Sequence, residues 1–301
     1  MQYGFSIKRK CYLLSVLLMT VWLTGCVQEE FESTPSPAGN GIRFTLTVPD
    51  VNLPSVSSRT MTGTGTAKKE DEIETVDILV FDMSKTPAVF LEWVSATGVT
   101  QDLADNSTVS FSAVLSPTTA STCIVVVANK ELDNIVSGFT KGATTKVEAM
   151  EKMLHTQTGK WLADGSTTGG YTRIPMYGEK VISKITPSMN PITEINMKRM
   201  LARIDIRNNS VTSNFMVEEV YLANYNTTGY IAPAWNTNGQ VTDPVPDTPV
   251  LPAGSGKMTE EGDAILYSVN GNTPYDGEIY TFESLAAEDA GGAGADGEAS
   301  R

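Results

Sequence analysis

The sequence predicts an all-β protein of two β-sandwich domains, with one short helix in the first and a second domain that is short or truncated. Three observations predict it. Apolar residues recur with a period of two in short segments, as at Ile42, Phe44, Leu46 and Val48 and again at Val109, Phe111, Ala113 and Leu115. Stretches rich in Gly, Pro, Asn and Ser separate these segments. Only one segment has convincing helical spacing, and strands spaced by turn chemistry argue for sandwiches.

The chain opens with a leader, residues 1–25. Lys8, Arg9 and Lys10 precede an apolar run from Cys11 to Leu23. That run is shorter than the roughly 20 residues of a membrane span, so it reads as a secretory signal. Leu23-Thr24-Gly25-Cys26 has the form of a bacterial lipobox, which makes Cys26 the acylated first residue of the mature protein. Acyl chains in pairs anchor a protein stably. Residues 26–40 are polar and acidic with two prolines, a flexible tether.

The first domain is assigned to residues 41–198. GIRFTLTVP (41–49) is its first strand, followed by a polar loop that carries Arg59. In ETVDILVFD, Val76, Ile78 and Val80 face one way and Leu79 and Phe81 the other, a strand buried on both faces. Val89–Val94, the alternating 109–115 segment and Cys123–Ala128 follow as strands. Thr145 and Glu148 have capping-box spacing; Val147, Met150, Met153 and Leu154 then share one face of a helix of about three turns. His155, the single histidine, falls at the end of that helix and reads as solvated. After a Gly/Thr/Ser-rich loop (161–171) and IPMYGEK, a strand is expected at Val181–Ile185.

In PITEINMKRMLARIDIRNN the apolar parity changes: Ile195 and Met197 are odd, while Met200, Ala202, Ile204 and Ile206 are even. Such a change means a bulge or a handover between two sheets, and a domain boundary is placed there. The second domain, 199–285, is expected to hold strands around Phe215–Leu222, Ile265–Val269 and Glu278–Phe282. Residues 286–301 are a low-complexity, disordered tail.

Composition excludes several functions. The 301 residues carry 22 basic and 35 acidic side chains; without the leader's three cations the balance is 19 against 35, a net charge of −16. Such a chain repels nucleic acid. Cys123 is left without a disulfide partner and reads as a buried thiol. No nucleophile elbow, phosphate loop, zinc motif or paired acid and base is evident, so no enzymatic activity, cofactor or metal is expected. Residues 235–247 hold only Asp243 and Asp247, fewer carboxylates than a calcium loop, though a weak calcium site there stays open. The N-x-S/T matches at Asn106, Asn208 and Asn226 read as chance. Trp93, Trp161 and Trp235 leave a surface glycan-binding role open as the alternative to core packing.

The lipobox at Cys26, IRFTLTV, VSSRT (56–60), ETVDILVFD, TCIVVVANK, IPMYGE (174–179) and RMLARIDI (199–206) occur in an order and spacing that resembles the fimbrilins of Bacteroidetes, pilus subunits exported as lipoprotein precursors. The resemblance covers about residues 20–285. It implies two transthyretin-like sandwiches, delivery to the outer membrane through lipidated Cys26, and cleavage by a trypsin-like or Arg-specific protease at Arg59-Thr60. The first strand would then leave, and its apolar residues Ile42, Phe44, Leu46 and Val48 would be replaced by a strand added from another fimbrial subunit. It implies an adhesive fimbria at the cell surface, with a lipid-retaining anchor or terminal subunit as the alternative role and host or bacterial surface ligands as further candidate partners. The family's donor strand lies near the C-terminus, where this chain has only its Gly/Ala/Asp-rich tail.

Overall fold

The structure is a computed structural model that describes residues 42–47, 72–101, 108–157, 159–161, 172–187, 189, 191–206, 219–242, 250–253, 264–268 and 277–284. The predicted leader, tether and C-terminal tail lie outside these residues, as do the segment before Glu219 and the calcium candidates Asp243 and Asp247.

The fold is all-β. Strands β1 (Ile42–Thr47), β2 (Val76–Asp82), β3 (Val89–Ser95), β4 (Thr97–Gln101), β5 (Thr108–Ala113) and β6 (Thr122–Ala128) are followed by helices α1 (Asp133–Val136) and α2 (Lys146–Lys152). Then come β7 (Leu154–Thr156), β8 (Met176–Ile182), β9 (Ile192–Asn196), β10 (Lys198–Arg199) and β11 (Ala202–Ile206). The last are β12 (Glu219–Leu222), β13 (Thr228–Tyr230), β14 (Ile265–Ser268) and β15 (Gly277–Thr281). Sheet A has the order β4-β5-β1-β9, and sheet B the order β10-β8-β6-β2-β3. The pairs β11–β15, β12–β14 and β13–β7 form two-stranded ladders.

Sheet B is the spine, because its central strands are buried on both faces. Ile78 and Val80 of β2 and Ile124, Val126 and Ala128 of β6 point into a core shared with sheet A. The intervening Leu79, Phe81, Cys123, Val125 and Val127 point into a second core. That core is closed by Ala149 and Met150 of α2 and by Trp161, Ile231, Ala232, Tyr280 and Phe282. Near-continuous apolar runs are what a strand covered on both faces requires.

The parity change marks a handover between sheets. β9 pairs with β1 in sheet A; after Met197 the chain enters sheet B, where Lys198 faces Tyr177. Gly178 on β8 makes this crossover fit. A Cβ there would lie 2.7 Å from Met197 Sδ, 2.9 Å from Ile195 Cγ2 and 3.0 Å from the Asn196 carbonyl oxygen. Gly178→Ala is therefore expected to destabilise the fold by about 1–3 kcal/mol through overpacking, read as a lowered urea midpoint. An unchanged midpoint would show that the crossover yields freely.

Three local expectations need correction. The helix α2 has the predicted capping box: the Thr145 hydroxyl accepts from Glu148 N–H and the Glu148 carboxylate accepts from Thr145 N–H. It runs only seven residues, however; of the predicted face Met150 and Met153 are fully buried, Val147 and Leu154 only half-buried, and Lys146 and Ala149 join the buried side unpredicted. Leu154 instead opens β7, paired with Tyr230 of β13. α1 is a second, four-residue helix. The strand expected at Val181–Ile185 starts earlier, at Met176, because β6 offers it a full antiparallel partner from Ala128↔Met176 to Thr122↔Ile182.

His155 is not a solvated helix terminus. It lies in β7, half-buried, its ring 5.0 Å from that of Trp161 and 6.4 Å from that of Phe282. Burial first, and the charge of Lys130 second, lower its pKa from 6.5 to about 4. The native state thus holds the ring neutral while the unfolded chain protonates near 6.5. Stability contributed by the neutral ring is complete above that pH and is lost as pH falls from about 6.5 to about 4. His155→Phe should keep the ring packing and remove this part of the pH slope. Thermal melts of both proteins across pH 4–7 check it, and parallel slopes would refute it.

Candidate functional site

The strand β1 is an interior strand, bonded along both edges. On one side it runs antiparallel to β5, with Ile42↔Ala113, Phe44↔Phe111 and Leu46↔Val109 in register. On the other it runs parallel to β9, with Phe44↔Ile192, Leu46↔Ile195 and Thr47↔Asn196. Three steps along β9 match two along β1 between the first two of these pairs, a bulge in which Glu194 adopts φ 62°.

Its inward side chains are core residues. Phe44 is 0 % exposed and Ile42 is buried beside it. The Phe44 ring lies flat on Phe111, centroids 5.0 Å apart and planes 8° from parallel. Val109, Phe111 and Ala113 from β5 and Ile192 and Ile195 from β9 line the same core. With adjacent strands about 4.7–4.9 Å apart, withdrawal of β1 would leave a slot about 9–10 Å between the flanking strands. Both walls of that slot would carry unpaired backbone groups and its floor would be apolar.

Of the residues singled out in the sequence, Ile42 and Phe44 thus meet in this slot, and Leu46 holds the predicted backbone register. The Leu46 side chain, Val48, Cys26, Arg59 and Thr60 lie outside the described residues.

A second cluster carried no sequence signal. Lys146, at the first turn of α2, is fully buried, and its Nζ lies 2.6 Å from Glu179 Oε2 on β8. The same oxygen accepts from the Tyr177 hydroxyl at 2.5 Å, and Glu179 Oε1 accepts from the Val241 N–H at 3.3 Å. Burial, then the Glu179 charge, pushes the Tyr177 phenol well above its usual range. Burial likewise pushes the nearby Cys123 thiol up to about 11, so it is an inert core group. The capping box that places Lys146 in the first turn was readable; its partner, 33 residues on, was not.

The tryptophans do not form an open platform. Trp161 is buried and its Nε1–H donates to the Thr172 carbonyl at 3.0 Å. Trp235 is half-buried against the second core and edge-on to Tyr230 at 4.9 Å, and Trp93 packs on the same core. Asn226 is also structural: it is buried and its amide donates to the Glu283 carbonyl, so its N-x-T match is not an accessible acceptor. Among the described residues no group of three or more His, Cys, Asp or Glu could hold a metal ion.

The chain is similar to several solved structures from Bacteroidetes. A fimbrial assembly protein from Parabacteroides distasonis is 13 % identical, with a TM-score of 0.40 over 79 % of this chain and 85 % of that one. A protein of the same species, described provisionally as a cell adhesion protein, is 17 % identical, with a TM-score of 0.42 over 83 % and 73 %. One from Bacteroides ovatus, provisionally an adhesin, is 13 % identical, with a TM-score of 0.36 over 82 % and 69 %. No curated protein matches the chain significantly. Residues 42–250, well over half of the chain, match the profile of the Major fimbrial subunit protein (FimA), and the chain belongs to that family of cell-surface fimbrial subunits.

Proposed function

We propose that this chain is a structural, non-catalytic subunit of an adhesive fimbria, exported as a lipoprotein and assembled by proteolysis-triggered strand exchange. Lipidated Cys26 tethers the precursor to the outer membrane. A trypsin-like or Arg-specific protease cuts Arg59-Thr60, β1 leaves, and a strand from another subunit enters the slot between β5 and β9.

The position of β1 is the observation that carries this reading. An interior strand joined to the fold at both edges leaves two unpaired ladders when it goes, and only another strand satisfies both. Ile42 and Phe44 alone remove apolar area worth about 3–6 kcal/mol from water, an upper estimate. The vacancy therefore has a strong driving force for refilling. While β1 stays in place, the same two edges are protected from premature pairing.

Limited trypsin digestion of the purified precursor, with N-terminal sequencing of the product, tests the reading. A product beginning at Thr60 that forms ladders on gels is expected. An Arg59 that resists trypsin, or a cut product that takes up no strand from a partner subunit, would overturn strand exchange. A surface protein that begins at Cys26 and keeps labelled acyl chains would be a lipid-retaining anchor instead.

A further inference from the structure

We propose that Phe111 sets the register and selectivity of the slot that β1 occupies, so that the slot takes a strand with a planar aromatic side chain where Phe44 stands. This rests on the strand-exchange reading and adds what the incoming strand of another subunit must carry.

The inference comes from the present occupant. The Phe44 ring stacks in parallel on Phe111, centroids 5.0 Å apart and planes 8° from parallel. Two flat rings in an offset stack gain an interaction beyond the area they bury, which a branched aliphatic chain in the same place does not supply. The neighbouring position on β1 makes no such demand, since Ile42 faces the small Ala113. The opposite wall marks the same point: the β9 bulge begins directly after the Phe44↔Ile192 pair. A one-residue slip would turn the ring to the other face of the sheet. A two-residue slip would place it against Ala113 or Val109 and lose the match to the bulge. The ring and the bulge together admit one register, and apolar alternation alone does not satisfy it.

The test uses the full chain nicked after Arg59 with trypsin, and a fluorescent peptide of residues 41–50 offered in excess. The unchanged peptide and its Phe44→Tyr version are expected to be taken up alike. The Phe44→Leu peptide is expected to bind about five- to tenfold more weakly, the scale of one aromatic pair. In a Phe111→Leu chain that difference should shrink to about twofold or less; the unsubstituted chain decides the matter even if this variant does not fold. Equal uptake of all three peptides would overturn the selectivity and leave strand exchange standing. An uncut Arg59, or no uptake of any peptide, would overturn both.

Discussion

Phe44→Ala is expected to destabilise the full chain by about 3–5 kcal/mol, the range for truncating a buried aromatic side chain. The ring is fully buried, and it contacts a core built from both flanking strands and from the facing sheet B. Alanine would leave a cavity over the face of Phe111, which β5 and β9 cannot close without breaking their register with β1. A cycle with Phe44→Leu and Phe111→Leu should give a coupling of about 0.5–1.5 kcal/mol for the ring pair beyond the area lost. Val114, just past β5 and 62 % exposed, serves as the comparison: Val114→Ala should stay within about 0.5 kcal/mol of the parent. Urea unfolding of the uncut chain reads all of these. A Phe44→Ala loss under about 1 kcal/mol would mean that β1 is held by its backbone ladders alone and that the slot has no apolar floor to refill.

What the sequence made legible followed from short-range period. β1 and β5 alternate cleanly because each presents one face to the core, and β2 and β6 carry consecutive apolar residues because both their faces are covered. The switch from odd to even apolar positions marks the passage only as far as Met200: Ile195 and Met197 enter the core shared with sheet A and Met200 the second core, whereas Ala202 and Ile204 of β11 are exposed. The missed elements are those whose reason lies elsewhere in the chain. β7 and β13 are three residues each, too short to show a period, and exist because they pair with one another. Helical spacing ran on through Met153 and Leu154, but pairing with Tyr230 drew Leu154 into a strand and His155 with it. The candidate site divides the same way. The apolar face of β1 could be read from the residues, whereas its interior place between an antiparallel and a parallel neighbour depends on β9, far down the chain.

The second large effect is expected at Lys146, where sequence reading gave no warning. A lysine in the first turn of a short helix is normally solvated, yet this one is 0 % exposed. Its ammonium meets Glu179 at 2.6 Å, and its stem packs under the turn at Gly239, where an added Cβ would come within 3.1 Å of Lys146 Cβ. The Val241 N–H, from the same turn, donates to the other Glu179 oxygen. The pair thus joins α2, β8 and the 235–241 turn at one point over the second core. Lys146→Met keeps the stem but leaves the carboxylate without its counter-charge, and a loss of about 3 kcal/mol is expected. Adding Glu179→Gln should restore part of that loss, because no charge remains and the amide oxygen still accepts from Tyr177, although the amide nitrogen cannot accept from the Val241 N–H. Urea midpoints of the single and double variants distinguish the causes. If Lys146→Met is as stable as the parent, the ion pair contributes nothing beyond the packing of its stem. If the double variant is as weak as the single, the loss is steric rather than electrostatic, and the turn is held by the shape of the lysine chain.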